Sequence, residues 1–133
     1  MQFYSTTLKL VSLVFLVVAA LHLVLGLGAD QMLGAVLTPE TIAEPSLDSQ
    51  NRFYGVSFAF YGVALYICAT DLKRFRPILL AALTVFFLAG AARLVSWGLY
   101  GAPAPLVIGL LITELVLPPL LYIWLKKAMV ASE

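Results

Sequence analysis

Residues 77–125 read PILLAALTVFFLAGAARLVSWGLYGAPAPLVIGLLITELVLPPLLYIWL, and this stretch decides the fold. Two apolar runs, Pro77–Tyr100 and Pro105–Leu125, flank a short connection. Pro103 and Pro105, at alternate positions, cannot continue a helix cleanly. Each run is long enough for the roughly 20 residues that a spanning helix needs. Each also carries one interior charge, Arg93 in the first and Glu114 in the second. An ionised side chain at bilayer depth costs about 2.5–3.5 kcal/mol even on the mildest scale, so such residues pair or serve a function.

Two further runs precede this hairpin. Leu8–Ala29 is broken only by Lys9 and His22, and Phe53–Thr70 follows Arg52. The predicted fold is therefore all-α, an integral membrane four-helix bundle. It forms one domain over 1–133, with spans at about 8–29, 51–70, 77–100 and 105–125. Composition agrees. The chain is 62% hydrophobic and 11% charged, with mean hydropathy +1.02. Soluble domains carry about 25% charged residues. The first run exceeds the roughly 7–15 apolar residues of a signal peptide, so it is expected to stay in the membrane.

Lysine and arginine set the orientation. Lys9, Lys73, Arg74, Arg76, Lys126 and Lys127 fall on one side of a four-span arrangement. Asp30, Glu40, Glu44 and Asp48 fall on the other, with Arg52 at its edge. Both termini are expected to be cytoplasmic. Thr38-Pro39-Glu40 reads as an N-cap, a proline at the first helical position and an acid in the first turn. A short extracytoplasmic helix or lid loop is expected between the first two spans, over the outer mouth of the bundle.

Loop offsets give depth. Arg93 lies ten residues before Pro103, and Glu114 eleven after it. At 1.5 Å of rise per residue both sit roughly 10–15 Å below the outer surface. His22, eight residues before Asp30, comes to roughly 12 Å from the same side. The outer half thus collects Arg52, His22, Arg93 and Glu114. An Arg93–Glu114 ion pair is expected, locking the last two helices in register. Arg52 is then surplus. It either snorkels to Asp48 or helps to hold an anion. His22 reads equally as a hydrogen-bonded packing residue. Pro118 and Pro119 leave the carbonyls of Glu114 and Leu115 without helix donors. An arginine fork is expected to serve them, the alternative being a neighbouring hydroxyl or a trapped water. Gly55, Ala59 and Gly62 form a small-residue packing face. Tyr54, Phe58 and Trp97 are candidates for the apolar wall of a site.

Several classes are excluded or unsupported. A formal charge of +1 suggests no nucleic-acid partner. The single Cys68 excludes an intramolecular disulfide and a cysteine-based metal site. With one histidine and no HExxH, P-loop or GxGxxG pattern, no metal, cofactor or catalytic set is expected.

Asn51-Arg52-Phe53-Tyr54-Gly55, Arg93-Leu94-Val95-Ser96 with Gly101 and Pro103, and Glu114 followed by Pro118 carry a resemblance. Over about residues 10–125 the chain resembles a widespread family of small bacterial membrane proteins known only as a domain of unknown function. The resemblance implies a four-helix protein of the bacterial inner membrane and brings no activity. Its motif positions fall on Arg52, Arg93 and Glu114. Small multidrug exporters are similar only in length and span number, since their essential acid lies in the first span.

The leading expectation is non-enzymatic. A polar pocket open to the outer leaflet would bind a lipophilic or anionic small molecule, or a membrane lipid. Its residues would be Arg52, Arg93, Glu114, His22, Tyr54, Phe58 and Trp97. A second reading is an accessory subunit of a larger membrane complex or a homo-oligomer, with a structural ion pair. A third is a proton-coupled transporter using Glu114.

Overall fold

The computed structural model describes residues 1–130. The end of the predicted 1–133 domain, Glu133 included, lies outside the described residues. The chain is helical throughout, in six elements with no strand among the described residues. They are α1 (Gln2–Leu25), α2 (Leu27–Met32), α3 (Pro39–Ile42), α4 (Pro45–Thr70), α5 (Arg76–Tyr100) and α6 (Pro105–Val130). Four of them, α1, α4, α5 and α6, are long and apolar enough to cross a membrane.

Helix boundaries follow local chemistry. The first long helix ends at Leu25, four residues before the apolar run does, because Gly26 turns the backbone to φ +56°. It begins at Gln2 and accommodates a polar first turn. Thr6 and Thr7 donate to the carbonyls of Gln2 and Phe3, and Ser5 donates across to Ala69 O at 2.6 Å. The second long helix starts six residues before the predicted span. Pro45 occupies its first position, where a missing N–H costs nothing. Glu44 caps it, accepting from Leu47 N at 2.7 Å and Ser46 N at 3.1 Å. These amides hold the Glu44 carboxyl below the usual carboxylate range, Leu47 contributing most. Thr38 caps α3 as its sequence indicates, accepting from Thr41 N.

The long helices associate as two pairs. Helix α1 lies against α4, and α5 against α6. Small residues set the first contact. A Cβ at Gly55 would sit 3.0 Å from His22 Cβ, and one at Gly62 3.0 Å from Leu16 Cγ. Ser12 Oγ donates to Gly62 O at 2.7 Å. In the second pair, a Cβ at Gly90 would sit 3.0 Å from Glu114 Cβ. Without a hydrophobic drive between helices in lipid, such close approaches and interhelical hydrogen bonds supply much of the association.

The two pairs converge at one end. Tyr4, Leu8, Leu65, Cys68, Leu72, Leu79, Leu83, Leu121 and Leu125 form a continuous buried core there. This closed end carries the α4–α5 turn with Lys73, Arg74 and Arg76. An aromatic layer of Phe15, Tyr61 and Phe86 follows, with Phe15 ring centroids 4.6 Å from Tyr61 and 5.2 Å from Phe86. Beyond this layer the pairs separate. The opposite end carries the first loop and the α5–α6 connection. A Cβ at Gly34 (φ +98°) would lie 3.0 Å from Ala104 Cβ, so these two segments touch.

Candidate functional site

Between the separated pairs lies a cavity of about 770 Å³. That is within the range of roughly 300–1,000 Å³ usual for small-molecule sites. Phe15, Phe58 and Phe86 contribute aromatic faces, and Val14, Val18, Leu110 and Leu117 aliphatic ones. The residues between the first two long helices also contribute, with Leu27, Asp30, Leu33 and Ala35 in its wall.

Two polar groups face the cavity. In the first, Arg93 donates through Nε to Glu114 Oε2 at 2.7 Å. The Glu114 side chain is 12% exposed and that of Arg93 35%. The close approach at Gly90, one turn before Arg93, brings the two helix backbones near enough for this contact. No described residue donates to Glu114 Oε1. Neither arginine donates to the carbonyls of Glu114 or Leu115, contrary to expectation. The helix continues through Pro118 and Pro119 without that help.

The second polar group joins His22 to Asp30 and Asn51, which the sequence pattern alone does not link to it. His22 Nδ1 lies 2.8 Å from Val18 O. Only an N–H can face a carbonyl, so Nδ1 carries a proton. Nε2 then points to Asp30 Oδ1 at 3.6 Å, too far for a direct hydrogen bond. The other Asp30 oxygen accepts from Asn51 Nδ2. Asn51 Oδ1 is buried without a hydrogen-bond donor. Helix α2 folds back from Gly26 to bring Asp30 to this position.

Of the seven predicted site residues, five line the cavity: His22, Tyr54, Phe58, Arg93 and Glu114. Two do not. Arg52 donates through Nε to Asp48 Oδ2 at 2.7 Å and through Nη1 to Leu23 O at 2.5 Å and Val24 O at 3.4 Å. The last carbonyls of a helix have no partners within it, and a cation there is favoured by the helix dipole. Arg52 therefore closes the C-terminus of α1 and is drawn away from the cavity. Gly26 makes room for this arrangement, since a Cβ there would overlap Asp48 Oδ1. Trp97 is half-buried one turn beyond Arg93 and outside the lining.

Losing Arg52 changes the charge. The lining holds one permanent cation, Arg93, against the carboxylates of Asp30 and Glu114, with His22 beside them. The net positive site expected from sequence is instead neutral or negative, depending on the His22 proton. Among the described residues no group of three or more His, Cys, Asp or Glu side chains is placed to hold a metal ion.

No curated protein and no solved structure matches the chain. A family model described as a domain of unknown function (DUF4345) matches residues 4–125. That span covers most of both helix pairs and every residue of the cavity wall, and the chain belongs to this family.

Proposed function

We propose that this protein is a non-catalytic, multi-pass bacterial inner-membrane protein that binds a lipophilic molecule. Its four long helices form a bundle whose outer half encloses the site. The observation that carries this reading is the cavity itself. It is apolar over most of its wall, with two polar groups set into it and aromatic rings across its floor. Apolar pockets with a few convergent polar groups are the usual form of small-molecule sites. The residues from Leu27 to Ala35 act as its lid. With six basic residues at the closed end, that end faces the cytoplasm, and the cavity opens outward. The core at the closed end contains no carboxylate or imidazole, so a proton path through Glu114 lacks support.

Native mass spectrometry of protein released from lipid nanodiscs tests this. One lipophilic molecule should stay with the wild type and be lost from Leu110→Trp, which fills the cavity. Equal retention by both would refute the site. For orientation, Thr41→Cys should react with an impermeant thiol reagent in intact cells, and Lys73→Cys should not.

A further inference from the structure

The proposed cavity says nothing yet about which polar head it prefers. The charge of its lining does. Asp30 and Glu114 oppose a single guanidinium, and the Arg52 that would have tipped the balance is committed to Asp48 and the end of α1. A carboxylate or phosphate monoester entering here would face two acids against one permanent base and the His22 imidazole 3.6 Å from Asp30, in a medium that screens charge poorly. A cation would not.

The hydrogen-bond inventory points the same way. Asn51 is 6% exposed, and its Oδ1 has no donor among the described residues. A buried acceptor left unpaired is costly, roughly 1–3 kcal/mol. Asn51 cannot relieve this by flipping its amide, because Nδ2 is engaged by Asp30. Among the described residues Asp30 Oδ1 has only the distant His22 Nε2, and Glu114 Oε1 has no donor. Two carboxylate oxygens on the lining, Asp30 Oδ1 and Glu114 Oε1, thus lack close donors among the described residues, while Asn51 Oδ1 lies buried behind Asp30. Arg93 spends only Nε on Glu114, so its terminal nitrogens stay available to an oxygen near the ligand's head. Aromatic faces from Phe15, Phe58 and Phe86 suit the body of a lipophilic cation.

We propose that the cavity selects a lipophilic amine: an ammonium bearing N–H donors, drawn to the carboxylates of Asp30, which Asn51 positions, and Glu114, on an apolar tail lying against the aromatic wall. This rests on the cavity reading above. The ammonium could belong to a single-chain amine or to an aminophospholipid headgroup, whose phosphoryl oxygen would meet Arg93.

Binding is read by native mass spectrometry from phosphatidylcholine nanodiscs, titrated separately with dodecylamine, dodecanol and dodecanoate. A fourth titration replaces part of the phosphatidylcholine with phosphatidylethanolamine. Dodecylamine should bind at least tenfold more tightly than dodecanoate, with dodecanol between. Asp30→Asn should remove that preference, bringing dodecylamine to the level of dodecanol. Asn51→Leu, which removes the donor that positions Asp30, should weaken dodecylamine more than dodecanol and serves if Asp30→Asn fails to fold. Selective retention of phosphatidylethanolamine assigns the headgroup as the source. Retention of dodecylamine without it assigns a free amine. Dodecanoate binding as well as dodecylamine, or a preference untouched by both variants, overturns the amine assignment and leaves the cavity reading standing. Failure of all three chains to bind overturns the cavity reading itself.

Discussion

At one end of the molecule Tyr4, Leu8, Leu65, Leu79, Leu121 and Leu125 pack with at most 2% exposure. At the other, the same four helices surround about 770 Å³ of space. The difference lies in what sits between the two helix pairs. Within a pair, Gly55, Gly62 and Gly90 bring backbones together. Between pairs, leucines interlock at the closed end. Phe15 and Phe86 then meet edge to face, and the helices part beyond them. Apolar side chains alone give no reason to close that gap in lipid, where a tail is as apolar as a leucine. The polar groups left facing it have one another, and space.

The largest expected effect probes this contrast. Leu79→Ala or Leu65→Ala at the closed end should cost about 2–5 kcal/mol, since each leaves a void in packed surroundings. Val18→Ala or Leu110→Ala at the cavity wall should cost about 1 kcal/mol or less, because little packing is lost there. Thermal unfolding in nanodiscs measures both. Equal losses at the two ends would erase the distinction.

Next comes the pair at the cavity wall. Glu114→Gln strands Arg93, and removing one partner of a buried pair costs about 3–5 kcal/mol in soluble hosts. In a membrane the loss should be smaller, about 1–2 kcal/mol, as polar contacts there contribute less than expected. The double variant Arg93→Leu with Glu114→Leu should recover part of it.

A smaller effect is expected at Arg52. Arg52→Leu frees the carbonyls of Leu23 and Val24 and should cost about 1 kcal/mol. It should leave dodecanol binding intact. Loss of that binding would return Arg52 to the site. The smallest effect is at Glu44. Its carboxyl is held low in the folded state by backbone amides. It therefore stabilises the start of α4 above the ordinary carboxylate range and loses that effect as pH falls through its own lowered value. Protection of the Ser46 and Leu47 amides, measured against their intrinsic exchange rates, should fall on that acid side, and Glu44→Ala should show the same loss of protection at neutral pH.

The helix count and the meeting of Arg93 with Glu114 were legible because each follows from length and loop offset alone. Finer placement depended on rotation about a helix axis, which depth does not fix. Arg52 lies at helical spacing from Gly55 and Gly62, yet the buried stripe of α4 runs Asn51, Gly55, Gly62, Leu65, Ala69. Reading that stripe backward by four from Gly55 leads to Asn51 and puts its neighbour Arg52 on another face. Asp30 was hidden for another reason. It looked like a loop acid until the turn at Gly26 folded α2 back toward Asn51. A lone glycine ahead of Leu27 signals a break without giving its direction.

The sharpest single test uses the chain's only cysteine. Cys68 lies in the closed core, and Val18 lines the cavity. In nanodiscs, a small methanethiosulfonate reagent should modify Val18→Cys in a Cys68→Ala background. The rate should fall when dodecanol is added. Cys68 in the wild type should stay unmodified until the protein unfolds. If Cys68 reacts as fast as Val18→Cys, or Val18→Cys is inert with and without dodecanol, the division into a closed end and an open cavity is contradicted.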